Sequence, residues 1–298
     1  MNKTTVIHHS ADFDGIFCRE IARKFAPDSE LIGWDYGNAK LTFPATGDVY
    51  VLDLSPECFA DLPEFTAHLD RLIWIDHHKS AIEKFSPAIP GYRIDGVAAC
   101  RLAWQWFTRP AIDDGASPRL PQKQDFVDRK VFEPWAVNLA GEYDIWDKRD
   151  PDAELFQHGL RSEELTEALW DALLDATNPM SSTVVRLLNQ GRALQFARTK
   201  ENASIIKEIG FDLEWEGLKF LACNAARYNS LLFLAGLLPS HDACFGFKWT
   251  GRDWSVSLYH APGKEHLDLS LIATKYGGGG HRGACGFRTN TLPFLPPP

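Results

Sequence analysis

Three short clusters of acids and imidazoles in this sequence have the residue types and spacing of metal ligands. The first is His8-His9-Ser10-Ala11-Asp12-Phe13-Asp14-Gly15. Two carboxylates at i and i+2 in a loop can face adjacent cations, and His8, four residues before the first, adds a nitrogen donor. The second is Asp53, which closes the apolar run Val49-Tyr50-Val51-Leu52. An ionised carboxylate at the end of an apolar strand needs a partner. The third is Asp76-His77-His78, directly after Leu72-Ile73-Trp74-Ile75. Neutral imidazole is a common metal ligand, and a neighbouring carboxylate often fixes its tautomer. Taken singly, each cluster has a plainer account. Asp12 or Asp14 can cap the next helix while Gly15 makes the turn, Asp53 can cap a loop, and the histidine pair can sit satisfied at the surface.

Their shared position changes the weighing. Residues 4–8, 30–34, 49–54 and 71–76 read as short apolar strands, and residues 14–25 carry apolar side chains at helical spacing. Continuous apolar strands separated by helical segments indicate a parallel sheet covered on both faces. All three clusters then lie at the carboxyl ends of parallel strands, the edge where open α/β sheets form their sites. Gathered there without a cation, the carboxylates would repel one another or stay unpaired. Mixed oxygen and nitrogen donors suit Mn²⁺, Mg²⁺ or Fe²⁺ better than a thiolate-rich zinc site.

Further elements follow. Residues 97–107, 135–145, 163–176 and 181–209 read as helices, the last with Gly191 inside it. Residues 109–134 break the pattern with prolines 110, 118, 121 and 134, and read as a surface excursion. Beyond residue 211, segments 218–223, 243–249, 254–259 and 284–287 are strand-like, and 267–276 is helical. The Pro296-Pro297-Pro298 tail is expected to fray. The fold class expected is α/β: a doubly wound parallel-sheet domain over 1–180, a connecting helix over 181–210, and a smaller α/β domain over 211–298.

The chain has 298 residues, with 31 Lys and Arg against 40 Asp and Glu, a net charge of −9. That balance argues against a protein that coats long nucleic acid. It leaves a small anionic substrate open, because bound cations invert the local field. Six cysteines without a C-x-x-C pair imply reduced, buried thiols instead of a zinc ribbon or disulfide framework. No apolar stretch is long enough for a bilayer span, and residues 1–5 lack a signal-peptide layout, so the expected location is the cytoplasm.

A last motif is Gly277-Gly278-Gly279-Gly280-His281-Arg282-Gly283-Ala284. Consecutive glycines expose backbone N–H groups, allow positive φ and can form an anion nest, with His281 and Arg282 as further donors. Alone, such a run can also be a helix C-cap and a loose loop.

Together, Asp12-Phe13-Asp14-Gly15, Asp53, Asp76-His77-His78 and the C-terminal Gly-Gly-Gly-Gly-His-x-x-Ala-x-Gly-Phe resemble the DHH phosphoesterase superfamily, in its DHH–DHHA1 branch of oligoribonuclease-like enzymes. The resemblance covers most of the chain, with 109–134 the least typical stretch. It implies two divalent cations, usually Mn²⁺ with Mg²⁺ as the alternative, and a DHHA1 domain that binds substrate. By position, the first cation would be held by His8, Asp12 and Asp53, and the second by Asp14, Asp53, His77 and Asp144. His8 is preferred to His9 because the family spacing is His-x-x-x-Asp-x-Asp, and Asp147 is a weaker competitor for Asp144. Asp76 would orient a histidine, His78 would contact the scissile phosphate, and Asp53 would bridge. Gly278, Gly279, Gly280, His281 and Arg282 would hold a terminal phosphate or nucleotide, so that the gap to the metals measures substrate length. One departure is visible: the family often places an arginine after a Val-Ser-Leu strand, and here Tyr259 follows Val256-Ser257-Leu258.

The activity implied is hydrolysis of short RNA or linear dinucleotides to mononucleotides by in-line attack between two cations. Cyclic dinucleotides and 3′-phosphoadenosine 5′-phosphate are alternative substrates with the same chemistry. Inorganic pyrophosphatase and RecJ-type DNA exonuclease fit less well, the first for want of this glycine motif, the second for size and charge. A tRNA-ester editing domain is more remote. A non-catalytic nucleotide-binding module is the reading from a different class, and it would require a lost ligand. A homodimer is compatible with the sequence; a membrane partner is not expected.

Overall fold

The computed structural model describes residues 3–59, 69–85, 89–109, 120–147, 149–175 and 181–294. The chain divides into two compact units, Met1–Ala193 and Leu194–Pro298. The division falls inside one 28-residue helix, Ser182–Ile209.

The N-terminal unit is built on a five-stranded sheet of β1 (Thr5–His9), β2 (Glu30–Trp34), β3 (Val49–Leu52), β4 (Leu72–Asp76) and β5 (Gly91–Arg93). The strand order is β2-β1-β3-β4-β5 and every pairing is parallel. Successive residues of a strand enter different cores. Val6, Leu52 and Ile75 join the cluster under Phe17, Ile21 and Leu102, while Ile7, Val51 and Trp74 join Phe59 and Ala81 on the other face. Burial on both faces is why these strands are apolar throughout instead of alternating.

The described helices of this unit are α1 (Phe13–Phe25), α2 (Lys79–Phe85), α3 (Ala99–Thr108), α4 (Lys123–Val127), α5 (Trp135–Asp144), α6 (Asp152–Leu160) and α7 (Glu167–Leu173); α8 is Ser182–Ile209. Gly191 inside α8 has a packing cause. A Cβ there would lie 1.8 Å from the Leu155 carbonyl oxygen of α6, and one on Gly159 would lie 2.1 Å from the Leu187 carbonyl. The two helix backbones therefore touch at these glycines.

The structure corrects the sequence reading at several elements. Strand β1 runs one residue further than 4–8 and includes His9. The second half of the expected surface excursion is packed: α4 buries Phe126, and Arg101 and Glu133 form an ion pair in which both side chains are less than 5% exposed. Residues 110–119 of that segment, the end of the expected 163–176 helix and the proline tail lie outside the described residues. Helices α2 and α6 and strand β5 had no expectation.

The C-terminal unit holds a six-stranded sheet of β6 (Gly210–Trp215), β7 (Leu218–Asn224), β8 (Ala243–Trp249), β9 (Trp254–His260), β10 (Gly279–His281) and β11 (Ala284–Thr289), with helix α9 (Ser270–Lys275). The order is β10-β11-β9-β8-β7-β6, and only the β7–β8 pairing is parallel. Its core is aromatic: Trp215, Phe220, Phe245, Phe287 and Phe294 lie together. The segment expected to close the sheet, β11, lies one place inside it, and the edge is β10.

All six cysteines are buried and none forms a disulfide. Among the described residues no helix is long and apolar enough to cross a membrane.

Candidate metal centre

In the order β2-β1-β3-β4-β5 the chain leaves β1 to one side and returns on the other, so the crevice between β1 and β3 is the topological switch point. His9 ends β1, Asp12 caps α1, Asp53 follows β3, and His77 and His78 follow β4.

In the first cluster the imidazole beside the carboxylates is that of His9, where the sequence spacing favours His8. His9 Nδ1 lies 3.0 Å from Asp12 Oδ2 and 3.4 Å from Asp53 Oδ2. The His8 ring is buried against Gly33 of β2, where a Cβ would come within 3.4 Å of it, and its Nδ1 is 2.7 Å from the His9 carbonyl. Burial holds His8 below the usual imidazole range. The physical reason is strand alternation: neighbouring residues of β1 point to opposite faces, so only one can meet the carboxylates. Gly15 bears on the same point. It does not have positive φ; instead a Cβ there would sit 2.2 Å from the His9 carbonyl oxygen and 2.6 Å from His9 Cβ. The first turn of α1 lies directly on His9, and only glycine fits.

Asp12 and Asp14 both cap helices and both face the cluster. Asp12 Oδ1 accepts from Gly15 N at 3.1 Å, while Oδ2 is the atom beside His9. Burial would raise the Asp12 carboxyl, but His9 outweighs it and holds the group below the usual carboxylate range. Asp14 is fully buried and accepts from the amides of Ala99 and Cys100 at 2.8 and 2.7 Å, at the start of α3. Capping and ligation are compatible, because a carboxylate has about four acceptor sites.

His77 Nε2 stands among three carboxylates: Asp144 Oδ2 at 3.3 Å, and Asp14 Oδ2 and Asp53 Oδ1 at 3.5 Å each. Asp144 is the last residue of α5. Asp147, its competitor in sequence, is bonded instead to Arg149 Nε at 2.8 Å. Asp76 faces the other histidine: its Oδ1 is 2.8 Å from His78 Nδ1 and accepts from the amides of His77 and His78 at 2.7 and 3.2 Å.

These side chains form three groups able to hold an ion: His9 with Asp12 and Asp53; Asp53 with His77 and His78; Asp14 with His77 and Asp144. In each, the donor atoms lie within 4.8 Å of one another. Asp53 and His77 are each shared by two groups, so the three are one continuous centre.

The donors fit a hard divalent cation. Asp53 is 2% exposed, yet its Oδ1 has no aligned hydrogen bond, and neither has His9 Nδ1. Asp53 also adopts φ 57°, a left-handed conformation that costs on the order of 1–3 kcal/mol even where Asp tolerates it. A buried carboxylate oxygen without an aligned donor suits a bound cation. Without one, the imidazoles and carboxyls of the cluster would share protons. The carboxylates of Asp12 and Asp53 push His9 up to about 11. Burial opposes the charge on His77, but Asp53, Asp14 and Asp144 outweigh it and raise the imidazole to about 10. Burial and then the charge of Asp53 raise Asp14 to about 7, and burial and then Asp14 raise Asp144 to about 7.

Sequence reasoning missed Asp35, whose Oδ1 is 3.2 Å from His9 Nε2. A carboxylate on the far nitrogen fixes the tautomer that presents Nδ1 to a metal. The signal was present: Asp35 follows β2 as Asp53 follows β3. Tyr36 was missed too; its ring meets His9 edge-on at 6.0 Å and its hydroxyl accepts from Ser55 N at 3.1 Å.

Helix α5 ends beside this centre in a Schellman turn. Asp147 N donates to Glu142 O at 2.8 Å and Trp146 N to Tyr143 O at 3.1 Å. Trp146 takes the left-handed position, at φ 55°. That position normally favours glycine, and the conformation costs an L-residue about 1–2 kcal/mol. Arg129 braces the turn from Glu142 (3.0 Å) to Asp150 (3.2 Å).

The glycine motif of the C-terminal unit is not an open loop. Gly279–His281 pair as β10 against β11. Gly278 is pressed against the Gly286 carbonyl, where a Cβ would fall at 2.1 Å, and Gly280 has φ 133°. Gly277, Gly278, Gly286, Ser255, Ser257 and Arg288 line a cleft of about 380 Å³. His281 and Arg282 are exposed on the rim strand and the turn, and Arg282 donates to the His266 carbonyl at 2.9 Å. Arg288 is a lining cation that the sequence reading did not single out.

No family model and no curated protein matches this chain. Solved structures do. A pGpG-specific phosphodiesterase from Vibrio cholerae aligns over 97% of this chain and 93% of its own, with 13% identity and a TM-score of 0.53. A DHH domain from a member of the s1p family of ribosomal proteins aligns over 97% and 82%, with 12% identity and a TM-score of 0.49. Exonuclease RecJ bound to manganese aligns over 97% and 86%, with 13% identity and a TM-score of 0.47. The first of these carries the fold assignment: the chain has the α/β fold of that phosphodiesterase, with a five-stranded parallel sheet and a second sheet in the C-terminal unit.

Proposed function

We propose that this protein is a metal-dependent phosphodiesterase that hydrolyses short oligonucleotides or linear dinucleotides to mononucleotides. The observation that supports this most is the meeting of His9, Asp12, Asp14, Asp53, His77 and Asp144 at one sheet edge, with the buried Asp53 oxygen left without a hydrogen-bond partner. His9, Asp12 and Asp53 would hold one divalent cation, and Asp14, Asp53, His77 and Asp144 a second, Mn²⁺ being preferred to Mg²⁺ by the nitrogen donors. Bound there, two cations supply Lewis acidity and a hydroxide at neutral pH.

The remaining groups have roles of their own. Asp35 holds His9, and Asp76 holds His78 through Nδ1. That leaves His78 Nε2 as the nitrogen that can donate to a phosphate oxygen. The hydrogen bond with Asp76 also raises His78 above the usual imidazole range, in the direction that favours a proton on both ring nitrogens. In the C-terminal unit, Gly278, Gly279, Gly280, His281 and Arg282 would bind a non-reacting phosphate or nucleotide, with Arg288 of the adjoining cleft as a further cation.

The linear dinucleotide is favoured among substrates by fold analogy with the pGpG-specific phosphodiesterase. The test is a panel with Mn²⁺: end-labelled RNAs of graded length, a linear and a cyclic dinucleotide, and 3′-phosphoadenosine 5′-phosphate. The expected result is fastest loss of the dinucleotide and shortest RNAs. Preferred turnover of the cyclic dinucleotide or of 3′-phosphoadenosine 5′-phosphate would move the assignment to that substrate. Nucleotide binding without turnover of any ester would replace the enzyme with a binding module.

A further inference from the structure

Tyr36 lies two residues beyond the end of β2, yet its hydroxyl accepts from Ser55 N at 3.1 Å, two residues beyond Asp53 on the loop after β3. In the order β2-β1-β3, strand β1 stands between the two loops. Two strand spacings are about 9–10 Å, so only a long side chain makes this reach, and it must pass the end of β1, where His9 sits. The ring contacts mark that path: Tyr36 meets Trp34 at 5.3 Å and 73°, and His9 at 6.0 Å and 62°. The base of the span is fixed. Trp34 Nε1 donates to the Ala39 carbonyl at 2.9 Å, Asn38 N to Asp35 O at 3.0 Å, and Tyr36 N to Asp35 Oδ1 at 2.7 Å. That same Asp35 oxygen is 3.2 Å from His9 Nε2. The tip meets a strained loop. Asp53, at φ 57°, stays left-handed only where its surroundings over-determine it. Three bonds do so: Asp53 N donates to Ile75 O at 2.9 Å, Trp74 Nε1 to Leu54 O at 2.8 Å, and Ser55 N to the Tyr36 hydroxyl. The first two partners belong to β4, and Tyr36 supplies the hold from the β2 side. Its ring joins none of the described core clusters of this unit, so packing does not account for the arrangement.

We propose that Tyr36 is a positioning residue of the metal centre: a strut across β1 that sets where Asp53 stands relative to His9 and so shapes the seat of the cation these two share with Asp12. It acts through the His9 ring and the Ser55 amide and offers the ion no donor of its own. The proposal rests on the metal-binding part of the reading above and is independent of the substrate. Groups that orient ligands in this way typically change metal affinity about 10- to 100-fold when removed.

The probe is Mn²⁺ alone, titrated by calorimetry without substrate, with the melting temperature recorded for each chain. Tyr36→Phe keeps the ring beside His9 and removes the acceptor of the Ser55 amide, in a residue only 4% exposed. Tyr36→Leu removes both contacts. Both variants should fold, since Tyr36 is 49% exposed. The binding step that His9→Gln weakens identifies the ion concerned. That step should weaken about tenfold in Tyr36→Phe and about 100-fold in Tyr36→Leu. The other Mn²⁺ should be affected less, because the group of Asp14, His77 and Asp144 shares no residue with the contacts of Tyr36, and its retention reports a folded chain. Electron paramagnetic resonance at two equivalents of Mn²⁺ should show a coupled pair in the parent and a larger six-line signal of isolated Mn²⁺ in Tyr36→Leu. A role confined to folding would lower the melting temperature and leave the binding steps and the spectrum of the folded chain at parental values. Parental Mn²⁺ affinities in a folded Tyr36→Leu chain would overturn the proposal, as would equal weakening of both steps. A native chain that binds no Mn²⁺ would remove the metal centre and the proposal with it. Binding of Mn²⁺ that depends on Tyr36, in a chain that turns over no phosphate ester, would remove the enzymatic reading and leave the strut standing.

Discussion

Replacing Gly15 by alanine tests the geometry of the metal centre through a residue that ligates nothing. The added Cβ would lie 2.2 Å from the His9 carbonyl oxygen, 2.7 Å from its carbon and 2.6 Å from His9 Cβ, where real Cβ contacts do not fall below 3.0 Å. All three atoms belong to the backbone or to Cβ, so no flexible side-chain end can give way. The first turn of α1 must therefore move off β1 by about 0.8 Å, the gap between 2.2 and 3.0 Å. Asp12 and Asp14 ride on that turn, Asp12 through its bond to the amide of residue 15. Alanine in place of glycine favours the helix by about 1 kcal/mol, and overpacking costs about 1–3 kcal/mol, so the net loss of stability stays near or below 2 kcal/mol. The site is more sensitive: a misplacement close to 1 Å costs about 100-fold in turnover. The expected outcome is a folded protein, with Tm within roughly 8 °C of the parent, whose Mn²⁺ affinity by isothermal titration calorimetry falls at least about tenfold. A folded Gly15→Ala chain with parental Mn²⁺ affinity would refute the placement of His9 under the helix.

Three more outcomes follow from the same structure. His9→Gln should weaken Mn²⁺ binding by about 100-fold or more, whereas His8→Gln should lower Tm and leave Mn²⁺ affinity within a few-fold; the reverse pattern in calorimetry would restore His8 as the ligand. Metal binding should release protons, because His9 and His77 (about 11 and 10) and Asp14 and Asp144 (about 7 each) must give theirs up. The sign is fixed: affinity rises with pH, with about four protons released below pH 6 and about two near pH 8.5. Metal-free stability runs the other way. The raised carboxyls remove stability as pH climbs from their ordinary range through 7, and the stability from the raised imidazoles, fully present below 6.5, is lost through 10 to 11. Calorimetry in buffers of different ionisation enthalpy measures the release, and a pH-independent affinity would contradict it. Gly191→Ala should destabilise the N-terminal unit by about 3 kcal/mol, because its Cβ meets a helix carbonyl at 1.8 Å; a Tm within 2 °C of the parent would show that α6 and α8 do not touch there.

What the sequence makes legible is decided by period and chemistry. Strands β3 and β4 are read within two residues because burial on both faces makes them apolar and a charged residue ends them, while the edge strand β2 is read from its Leu-Ile pair and Trp34. The position of the site is equally legible, since carboxylates and imidazoles after such strands can only collect at one sheet edge. His8 against His9 is not. A one-residue difference in where β1 ends reverses which face each side chain meets, and two adjacent histidines give composition nothing to choose by. Asp35 escaped attention because a lone acid after a short strand looks like a turn residue until the histidine that it holds is seen. The order in 120–134 was hidden by prolines and charges; its anchors, Phe126 and the Arg101–Glu133 pair, are long-range contacts without a local period. The glycine run reads as a loop because glycine has low strand propensity; here it is an edge strand because the Gly278 and Gly286 backbones approach too closely for side chains.

Asp53→Asn tests the central claim most directly. It keeps the shape of a residue that tolerates φ 57° and removes the charge shared between two of the ligand groups. The measurement is bound Mn²⁺ per chain by equilibrium dialysis, with turnover of an end-labelled linear dinucleotide on the same samples. Two Mn²⁺ per native chain with turnover, and fewer than two with turnover lost in a folded Asp53→Asn chain, is the predicted result. Turnover that survives Asp53→Asn, or a native chain that binds no Mn²⁺, would contradict it.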